Sequence, residues 1–236
     1  MSGRIVLVTG ASRGIGRAAA IALAAEKAHL ILVARTVGGL EETDDAVQAA
    51  GGSATLVPLN LRDGEALDRL GASLFERWGK LDGFFGNAGV LGALTPVTHL
   101  EPKVFDELLA VNVTVNWRLL RSLDPLLKCS EAGRVVFVSS SLARKPRAFW
   151  GGYAMSKAAL ESLALTYAAE CAPTNVRVNI LNPGATRTAM RAKAMPGEDP
   201  ETLPTPEDVA PLIAQMLSPA WEENAACVNY REWAGR

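Results

Sequence analysis

The sequence contains few cysteines, few histidines and no excess of charge of either sign, and each shortage argues against a class of protein. Its three cysteines, Cys129, Cys171 and Cys227, are odd in number and far apart, which indicates reduced thiols rather than a disulfide framework. His29 and His99 stand alone, so we expect no metal site. With a formal net charge of −1, the chain has no long-range attraction for nucleic acid or for an anionic membrane.

Long apolar runs are also missing. No apolar stretch approaches the roughly 18 residues of a membrane span, and the first strand-like run follows Met1 too closely for a signal peptide. We therefore expect a cytoplasmic protein. The 236 residues, 49% of them hydrophobic and 21% charged, suit a single globular domain over residues 1–236.

Short β-branched runs alternate with longer helical stretches, and this order predicts a doubly wound parallel α/β sheet with helices on both faces. Strands are predicted at 5–8, 30–33, 54–59, 83–85, 134–138 and 176–181. Helices are predicted at 14–27, 39–50, 64–78, 112–127, 152–171 and 206–217. Residues 188–206 lack periodicity and follow a predicted strand end, where such sheets bind ligands, so we interpret them as a loop or short helices forming a substrate lid.

A glycine-rich turn follows the first predicted strand. Gly10, Gly14 and Gly16 precede a predicted helix, where a backbone without Cβ atoms can approach a pyrophosphate and present free N–H groups to it. The spacing is Gly-x-x-x-Gly-x-Gly, which differs from the Gly-x-Gly-x-x-Gly pattern of many dehydrogenases. Taken alone, the motif is also compatible with an ordinary turn.

Tyr153 and Lys157 have the spacing that places two side chains on one helix face. Neither of the other tyrosines is followed by a lysine at this distance. A nearby ammonium group is expected to lower the phenol pKa from its ordinary value of about 10, as a proton-transferring tyrosine requires. The alternative is a surface tyrosine that packs against a lysine stem.

Together these motifs resemble the short-chain dehydrogenase/reductase family over nearly the whole chain. The resemblance is carried by the turn from Thr9 to Gly16, Asn87-Ala88-Gly89, Asn112, Ser140, the segment from Tyr153 to Lys157, and the segment from Asn182 to Thr188. Residues 139–141, 150–153 and 186–191 look most like a bacterial subgroup, the YciK-like oxidoreductases. The resemblance implies a Rossmann-type sheet of about seven strands and hydride transfer between a nicotinamide and a carbonyl or secondary alcohol.

The resemblance also implies roles for four residues. Tyr153 would be the general acid or base, and Lys157 would lower its pKa and hold the nicotinamide ribose. Ser140 would bind the substrate oxygen; the family's thirteen-residue separation from the tyrosine selects it from a run of three serines. Asn112 would hold a relay water, although a plain helix N-cap is the alternative.

Residues across the whole chain are expected to contact the cofactor. They are Gly10, Ser12, Arg13, Gly14, Ile15, Gly16, Arg35, Asn60, Leu61, Asn87, Ala88, Gly89, Val111, Tyr153, Lys157, Pro183, Gly184, Thr186 and Thr188. The site near residue 35 lacks the carboxylate that binds the ribose hydroxyls of NAD, whereas Arg13 and Arg35 could bind a 2′-phosphate. We therefore expect NADP(H) to be preferred over NAD(H), unless both arginines are merely solvated.

The substrate is expected to be a small carbonyl or alcohol compound. Six cations near the expected pocket raise the hypothesis of an anionic substrate such as an acyl thioester or keto acid: Arg144, Lys145, Arg147, Arg187, Arg191 and Lys193. Solvated loop charges are the alternative. A different class of function also stays open, namely an NADP-binding regulator or scaffold without catalysis on the same fold.

A homodimer is expected from two helices that carry apolar residues on more than one face. These are the helices predicted to begin at Asn112 and Gly152, which the family pairs across its dimers. The segment 226–233 lacks the family's glycine-rich finish, which contributes to tetramer packing, so a tetramer is not assumed.

Overall fold

A computed structural model describes residues 1–235 of the chain. The strands are β1 (Ile5–Thr9), β2 (His29–Ala34), β3 (Ser53–Pro58), β4 (Gly83–Gly86), β5 (Arg134–Val138), β6 (Arg177–Asn182) and β7 (Cys227–Asn229). The helices are α1 (Gly14–Ala25), α2 (Val37–Ala49), α3 (Gly64–Trp78), α4 (Pro102–Leu109), α5 (Val115–Lys128), α6 (Gly151–Cys171), α7 (Ala189–Ala194), α8 (Pro206–Met216) and α9 (Tyr230–Ala234). Within residues 1–235, no helix combines the length and apolarity needed to cross a membrane.

All strands join one 7-stranded parallel sheet in the order β3-β2-β1-β4-β5-β6-β7. The predicted doubly wound sheet is therefore confirmed. The strand order changes direction between β1 and β4, and in such sheets this crevice at the carboxyl ends of the strands is where ligands bind. The fold thus gathers the loops after β1, β4, β5 and β6 at one edge.

Each strand contributes to two apolar layers, one on either face of the sheet. Leu7 and Phe84 belong to the core between the sheet and helices α3, α5 and α6. Val8 and Phe85 belong to the core on the opposite face, with α1 and α8. These side chains are fully buried, which explains why the strand sequences are apolar without alternation.

The region around Asn112 differs from the predicted helix 112–127. Helix α4 begins at Pro102, a proline in the first turn, and continues through a π-helical turn, Ala110–Thr114, into α5. Asn112 lies in this π turn and is fully buried, so it neither opens nor caps a helix. Single π turns inside longer helices often mark functional positions, because the extra residue displaces the backbone.

Residues 227–234 form β7 and α9, and neither element was among the predicted strands and helices. Asn182 Nδ2 donates to Asn229 Oδ1 at 2.7 Å, which joins β7 to the end of β6. Trp233 Nε1 donates to Gln215 Oε1 at 2.9 Å, which attaches α9 to α8. Side-chain hydrogen bonds therefore attach the segment 226–233, which lacks the family's glycine-rich finish, to β6 and α8.

A buried carboxylate connects the amino ends of the central strands. Asp82 precedes β4 and accepts hydrogen bonds from Ile5 N at 3.0 Å and from Ser130 Oγ at 2.6 Å. Arg4 is also buried, and its Nη2 donates to the Asp82 backbone oxygen at 2.6 Å. Burial alone would raise the pKa of Asp82, but these hydrogen bonds and the nearby cations Lys80 and Arg4 lower it below its ordinary value.

We predict that Asp82→Ala lowers the free energy of unfolding by about 3–5 kcal/mol, because Ile5 N and Ser130 Oγ would lose their buried acceptor and the buried Arg4 would lose a nearby negative charge. Urea denaturation at neutral pH measures the difference. Since the folded pKa of Asp82 is lowered, its contribution is present above the unfolded pKa of about 3.9 and is lost as pH falls through the folded pKa. A difference between wild type and variant that did not shrink in acid would contradict this assignment.

Candidate active site

The glycine turn joins β1 to α1 at the edge where the strand order changes direction. Gly10 and Gly14 have φ angles of +65° and +56°, a left-handed conformation that other residues rarely adopt. A Cβ on Gly16 would collide with the Gly10 carbonyl oxygen and lie 2.6 Å from Asn87 Nδ2. The turn therefore needs each of these glycines for its own geometry.

The amino end of α1 has the character of an anion site. Arg13 occupies the N-cap position, and its side chain makes no capping hydrogen bond to the N–H groups of the first turn, four of which lack partners within a helix. These donors and the positive end of the helix dipole suit a phosphate group. Ser12 lies at the tip of the turn, whereas Ile15 is half-buried against the core below it.

Hydrogen bonds connect the segment after β4 to the glycine turn. Asn87 Nδ2 donates to Thr9 O at 2.9 Å, and Thr9 Oγ1 accepts from Asn87 N at 3.0 Å and from Ala88 N at 3.1 Å. The sequence predicted only that Asn87, Ala88 and Gly89 would pack beside the cofactor. In the structure Asn87 also supports the turn expected to bind the phosphates.

Arg13 lies in the turn between β1 and α1, and Arg35 directly follows β2. Gly10 N donates to Val33 O at 2.9 Å, which places the glycine turn beside the end of β2. Both arginine side chains are exposed, and within residues 1–235 neither forms a hydrogen bond or an ion pair with another side chain. Both cations are thus available to an anionic ligand at this edge.

Three other residues that are expected to contact the cofactor occupy different environments. Asn60 is exposed after β3, and its Oδ1 accepts from Arg62 N at 3.1 Å. The Leu61 side chain is buried in the core, so only its backbone is left for a ligand. Val111 is half-buried in the π turn beside Asn112.

The loop after β6 approaches the glycine turn. Gly184 has a φ of +71°, and Thr186, which is buried, donates to Pro183 O at 3.3 Å. Thr188 Cγ2 lies 3.6 Å from the position that a Cβ on Gly14 would occupy. The structure thus brings the first and the last predicted cofactor segments together.

The candidate lid contains α7 and a short 3₁₀ turn, Pro200–Thr202. Arg187 pairs with Glu201 at 2.9 Å, and Arg191 Nη2 donates to Glu198 Oε1 at 2.6 Å. These pairs hold the segment over an open cleft of about 480 Å³ that it lines itself. The expected loop with short helices is therefore present, whereas its movement as a lid stays a prediction.

Tyr153 and Lys157 lie one turn apart on α6. Lys157 Nζ is 5.8 Å from the centre of the Tyr153 ring and donates to Val138 O at 2.8 Å. Lys157 is only 3% exposed, whereas Tyr153 is half-buried. The two side chains share one helix face, as their spacing predicted.

Burial dominates the ionisation of both groups. It raises the pKa of Tyr153 to about 12, although Ser140 acts in the opposite direction. It lowers the pKa of Lys157 to about 8, although the Glu161 carboxylate partly compensates. The prediction of a lowered phenol pKa is therefore wrong for this structure, because desolvation of the phenolate is the larger effect.

The three consecutive serines after β5 have distinct environments. Ser140 Oγ accepts from Leu142 N at 3.3 Å and caps the following 3₁₀ turn, and it is the polar group that acts on the Tyr153 phenol. Ser139 is buried and donates to Glu161 Oε1 at 2.7 Å, whereas Ser141 is exposed. These positions agree with the choice of Ser140 as the residue beside the phenol.

Asn112 connects three segments around Lys157. Its Oδ1 accepts from Val90 N at 2.8 Å, and its Nδ2 donates to Val90 O at 3.0 Å and to Ser156 Oγ at 2.9 Å. A Cβ on Gly89 would lie 3.2 Å from Asn112 Oδ1 and 3.5 Å from Lys157 Nζ. The π turn therefore places the Asn112 side chain close to Lys157.

Sequence reasoning missed Glu161 and its ion pair with Arg144. Glu161 Oε2 accepts from Arg144 Nε at 2.8 Å, and its side chain is 8% exposed. The available signal was an acidic residue four positions after Lys157 on the same predicted helix. Its burial could not be inferred, because that depends on how β5 and its following loop pack against α6.

Comparisons with known proteins agree with this geometry. A family model for short chain dehydrogenases matches residues 4–199. YciK of Escherichia coli K12, an uncharacterised oxidoreductase, is 41% identical over 220 residues, which cover 92% of this chain and 87% of YciK. A solved short chain dehydrogenase from Pseudomonas syringae has a TM-score of 0.93 and 42% identity, covering 97% of this chain and 95% of that one.

One further solved structure contains a nicotinamide cofactor. It is a short chain dehydrogenase from Escherichia coli CFT073 in complex with NADPH, with a TM-score of 0.93 and 38% identity, covering 98% of both chains. Family model, sequence and structure therefore agree. This chain belongs to the short-chain dehydrogenase/reductase family of oxidoreductases, close to its YciK-like members.

Proposed function

We propose that this protein reduces a carbonyl group on a small molecule with NADPH, and that Tyr153 donates the proton. The observation that supports this most directly is the pairing of Tyr153, whose pKa is raised to about 12, with the buried Lys157 and with Ser140. At neutral pH such a phenol retains its proton and can act as an acid. A bound NADPH would supply the hydride.

The other residues would position the reacting groups. Ser140 would donate a hydrogen bond to the substrate oxygen beside the phenol. Lys157 would hold the nicotinamide ribose and stabilise the phenolate left after proton transfer. Asn112, buried and tied to Val90 and Ser156, would keep the surroundings of the lysine rigid and the proton path open.

The proposed acid also indicates how the two rates depend on pH. Carbonyl reduction would use the protonated phenol, whereas alcohol oxidation would use the phenolate. Since burial raises the pKa of Tyr153, we propose that protonation of this group leaves the rate of reduction level across neutral pH and makes the rate of oxidation rise with pH.

The preference for NADP(H) is supported by Arg13 and Arg35. Both are exposed, Arg13 in the turn after β1 and Arg35 directly after β2, and no carboxylate follows β2 directly, where an NAD site would place one. The NADPH complex of the related dehydrogenase agrees with a nicotinamide cofactor of this kind.

We predict that Arg35→Ala raises the dissociation constant for NADPH by about tenfold or more, because one charge-assisted hydrogen bond contributes roughly 1.5–3 kcal/mol. The affinity for NADH should change little. Nicotinamide fluorescence titration measures both constants. Arg69→Ala, at a 68% exposed side chain on α3, is the control. Equal losses for the two cofactors in Arg35→Ala would contradict the proposed 2′-phosphate contact.

Internal ion pairs narrow the set of cations that could bind an anionic substrate. Arg144, Arg187 and Arg191 are already paired with carboxylates. Lys145 and Lys193 form no ion pair within residues 1–235, and the same is true of Arg147. These three would therefore be the groups that bind a keto acid or an acyl thioester, if the substrate carries negative charge.

A homodimer through α5 and α6 is supported by apolar side chains on their outer surfaces. Trp117 on α5 is 43% exposed, and Leu165 on α6 is 37% exposed. Covering both would remove apolar surface from water. Sedimentation at micromolar concentration checks the assembly, and a monomeric mass would contradict it.

The proposed function is tested by NADPH oxidation with a panel of ketones, β-ketoacyl thioesters and quinones. Turnover with any of them supports a reductase. Tight NADPH binding without turnover on the whole panel would favour the non-catalytic regulator or scaffold instead.

A further inference from the structure

A buried carboxylate lies one helical turn after the buried lysine of the candidate site. Glu161 follows Lys157 at i+4 on α6, and the side chains are buried on the same side of the helix, toward β5. Burial of an isolated charge at such a position would destabilise the folded protein. The presence of two buried groups of opposite charge therefore requires a physical explanation.

The carboxylate is held by groups from the loop after β5. Ser139 Oγ donates to Glu161 Oε1 at 2.7 Å, and Arg144 Nε donates to Oε2 at 2.8 Å. The Arg144 side chain is 54% exposed, whereas that of Glu161 is 8% exposed. The exposed Arg144 guanidinium therefore contacts the buried Glu161 carboxylate, which lies one helical turn from Lys157.

Besides Glu161, the groups that contact or approach Lys157 within residues 1–235 carry no formal charge. Its ammonium donates to the Val138 carbonyl on β5, and Gly89 and Asn112 approach it from the β4 side. Tyr153 on α6 is a neutral phenol at ordinary pH, because burial raises its pKa to about 12.

One titratable group from β7 lies beside the Glu161–Arg144 pair. Burial raises the pKa of the Cys227 thiol, so this group is uncharged at neutral pH. The negative charge of Glu232 on α9 contributes to this raised pKa. Among the described residues packed around Lys157, Glu161 is therefore the anion that acts on its charge.

We infer that Glu161 is a positioning residue that keeps Lys157 protonated, and that Arg144 sets the strength of this effect by partly neutralising Glu161. The inference deepens the proposed function and rests on it, since a charged lysine is what the proton transfer from Tyr153 requires. Burial lowers the pKa of Lys157 to about 8, so without a compensating anion the lysine would lose charge near neutral pH.

The test is a pH titration of Lys157 followed by NMR of isotope-labelled lysine side chains. Its signal is identified as the one that is lost in Lys157→Met. We expect Glu161→Gln to lower the titration midpoint by roughly one pH unit, because it removes a nearby negative charge. Arg144→Gln should raise the midpoint, because it removes a positive charge.

Two further variants distinguish an effect of charge on the titration midpoint from an effect of packing. Ser139→Ala removes a hydrogen bond to Glu161 without changing any charge, and it should leave the midpoint in place. The double variant Glu161→Gln, Arg144→Gln should return the midpoint toward that of the wild type. A merely structural role for Glu161 would not produce shifts of opposite sign.

An unmoved midpoint in Glu161→Gln or Arg144→Gln would overturn the inference, and so would a Ser139→Ala shift as large as that of Glu161→Gln. If Glu161→Gln does not fold, Arg144→Gln at its exposed position still decides the question through the predicted rise. The titration needs neither NADPH nor substrate. Absence of NADPH oxidation in the wild type would therefore refute the proposed function without deciding this inference.

Discussion

Tyr153→Phe is expected to lower the turnover of NADPH with any active carbonyl substrate by about 100-fold to 10,000-fold, the range for removal of a general acid. The phenylalanine ring fills the same space, so the fold and the affinity for NADPH should be nearly unchanged. The loss should therefore appear in kcat rather than in the dissociation constant of NADPH. Steady-state rates and nicotinamide fluorescence titration measure the two quantities.

Tyr167→Phe is the matched control, since it removes a phenol hydroxyl from the same helix away from the proposed reaction. Tyr167 Oη donates to Asp124 Oδ1 at 2.8 Å, so its loss should lower stability by about 1 kcal/mol. Turnover should stay at the wild-type level. Retention of full turnover in Tyr153→Phe would remove the basis of the proposed mechanism.

Gly16→Ala is expected to weaken NADPH binding by about 100-fold or more, because a distorted turn loses several phosphate hydrogen bonds of roughly 1.5–3 kcal/mol each. The added methyl would collide with the Gly10 carbonyl oxygen and lie 2.6 Å from Asn87 Nδ2. Both atoms belong to the hydrogen-bonded unit that fixes the turn, so neither can move alone. Fluorescence titration with NADPH measures the loss.

Gly38→Ala provides the control for adding a methyl to a glycine of the same domain. Gly38 lies in the first turn of α2, and a Cβ there meets no atom within 4 Å. Its affinity for NADPH and its thermal stability should stay close to those of the wild type. Comparable binding by Gly16→Ala and Gly38→Ala would show that the glycine turn does not bind the phosphates.

The order of elements in the central fold could be predicted because the hydrophobic pattern of each strand depends on how it is buried. Strands buried on both faces are apolar without alternation, whereas apolar residues in the helices between them recur at the helical period of about 3.6 residues. The predicted strands agree with β1 to β6 to within about two residues. Helix α4, which lies before the π turn, and the short α9 were not predicted, because neither has a clear local signal.

The ionisation of the candidate site could not be predicted from spacing. The i, i+4 relation correctly placed Tyr153 and Lys157 on one face of α6, but it suggested a phenol with a lowered pKa. In the structure burial has the larger effect, raising the pKa of Tyr153 and lowering that of Lys157. Desolvation depends on atoms from β5, the π turn and the loop after β4, which are distant in sequence.

The sequence by itself determined the parallel sheet, the glycine turn at its edge and the pairing of Tyr153 with Lys157, because each follows from local spacing and hydrophobic pattern. Only the tertiary structure decided that Asn112 lies in a π turn, that Asn87 fastens the glycine turn, and that Glu161 is buried against Ser139 and Arg144. These arrangements join separate segments, and their energies come from burial and from hydrogen bonds that exist only after the chain has folded.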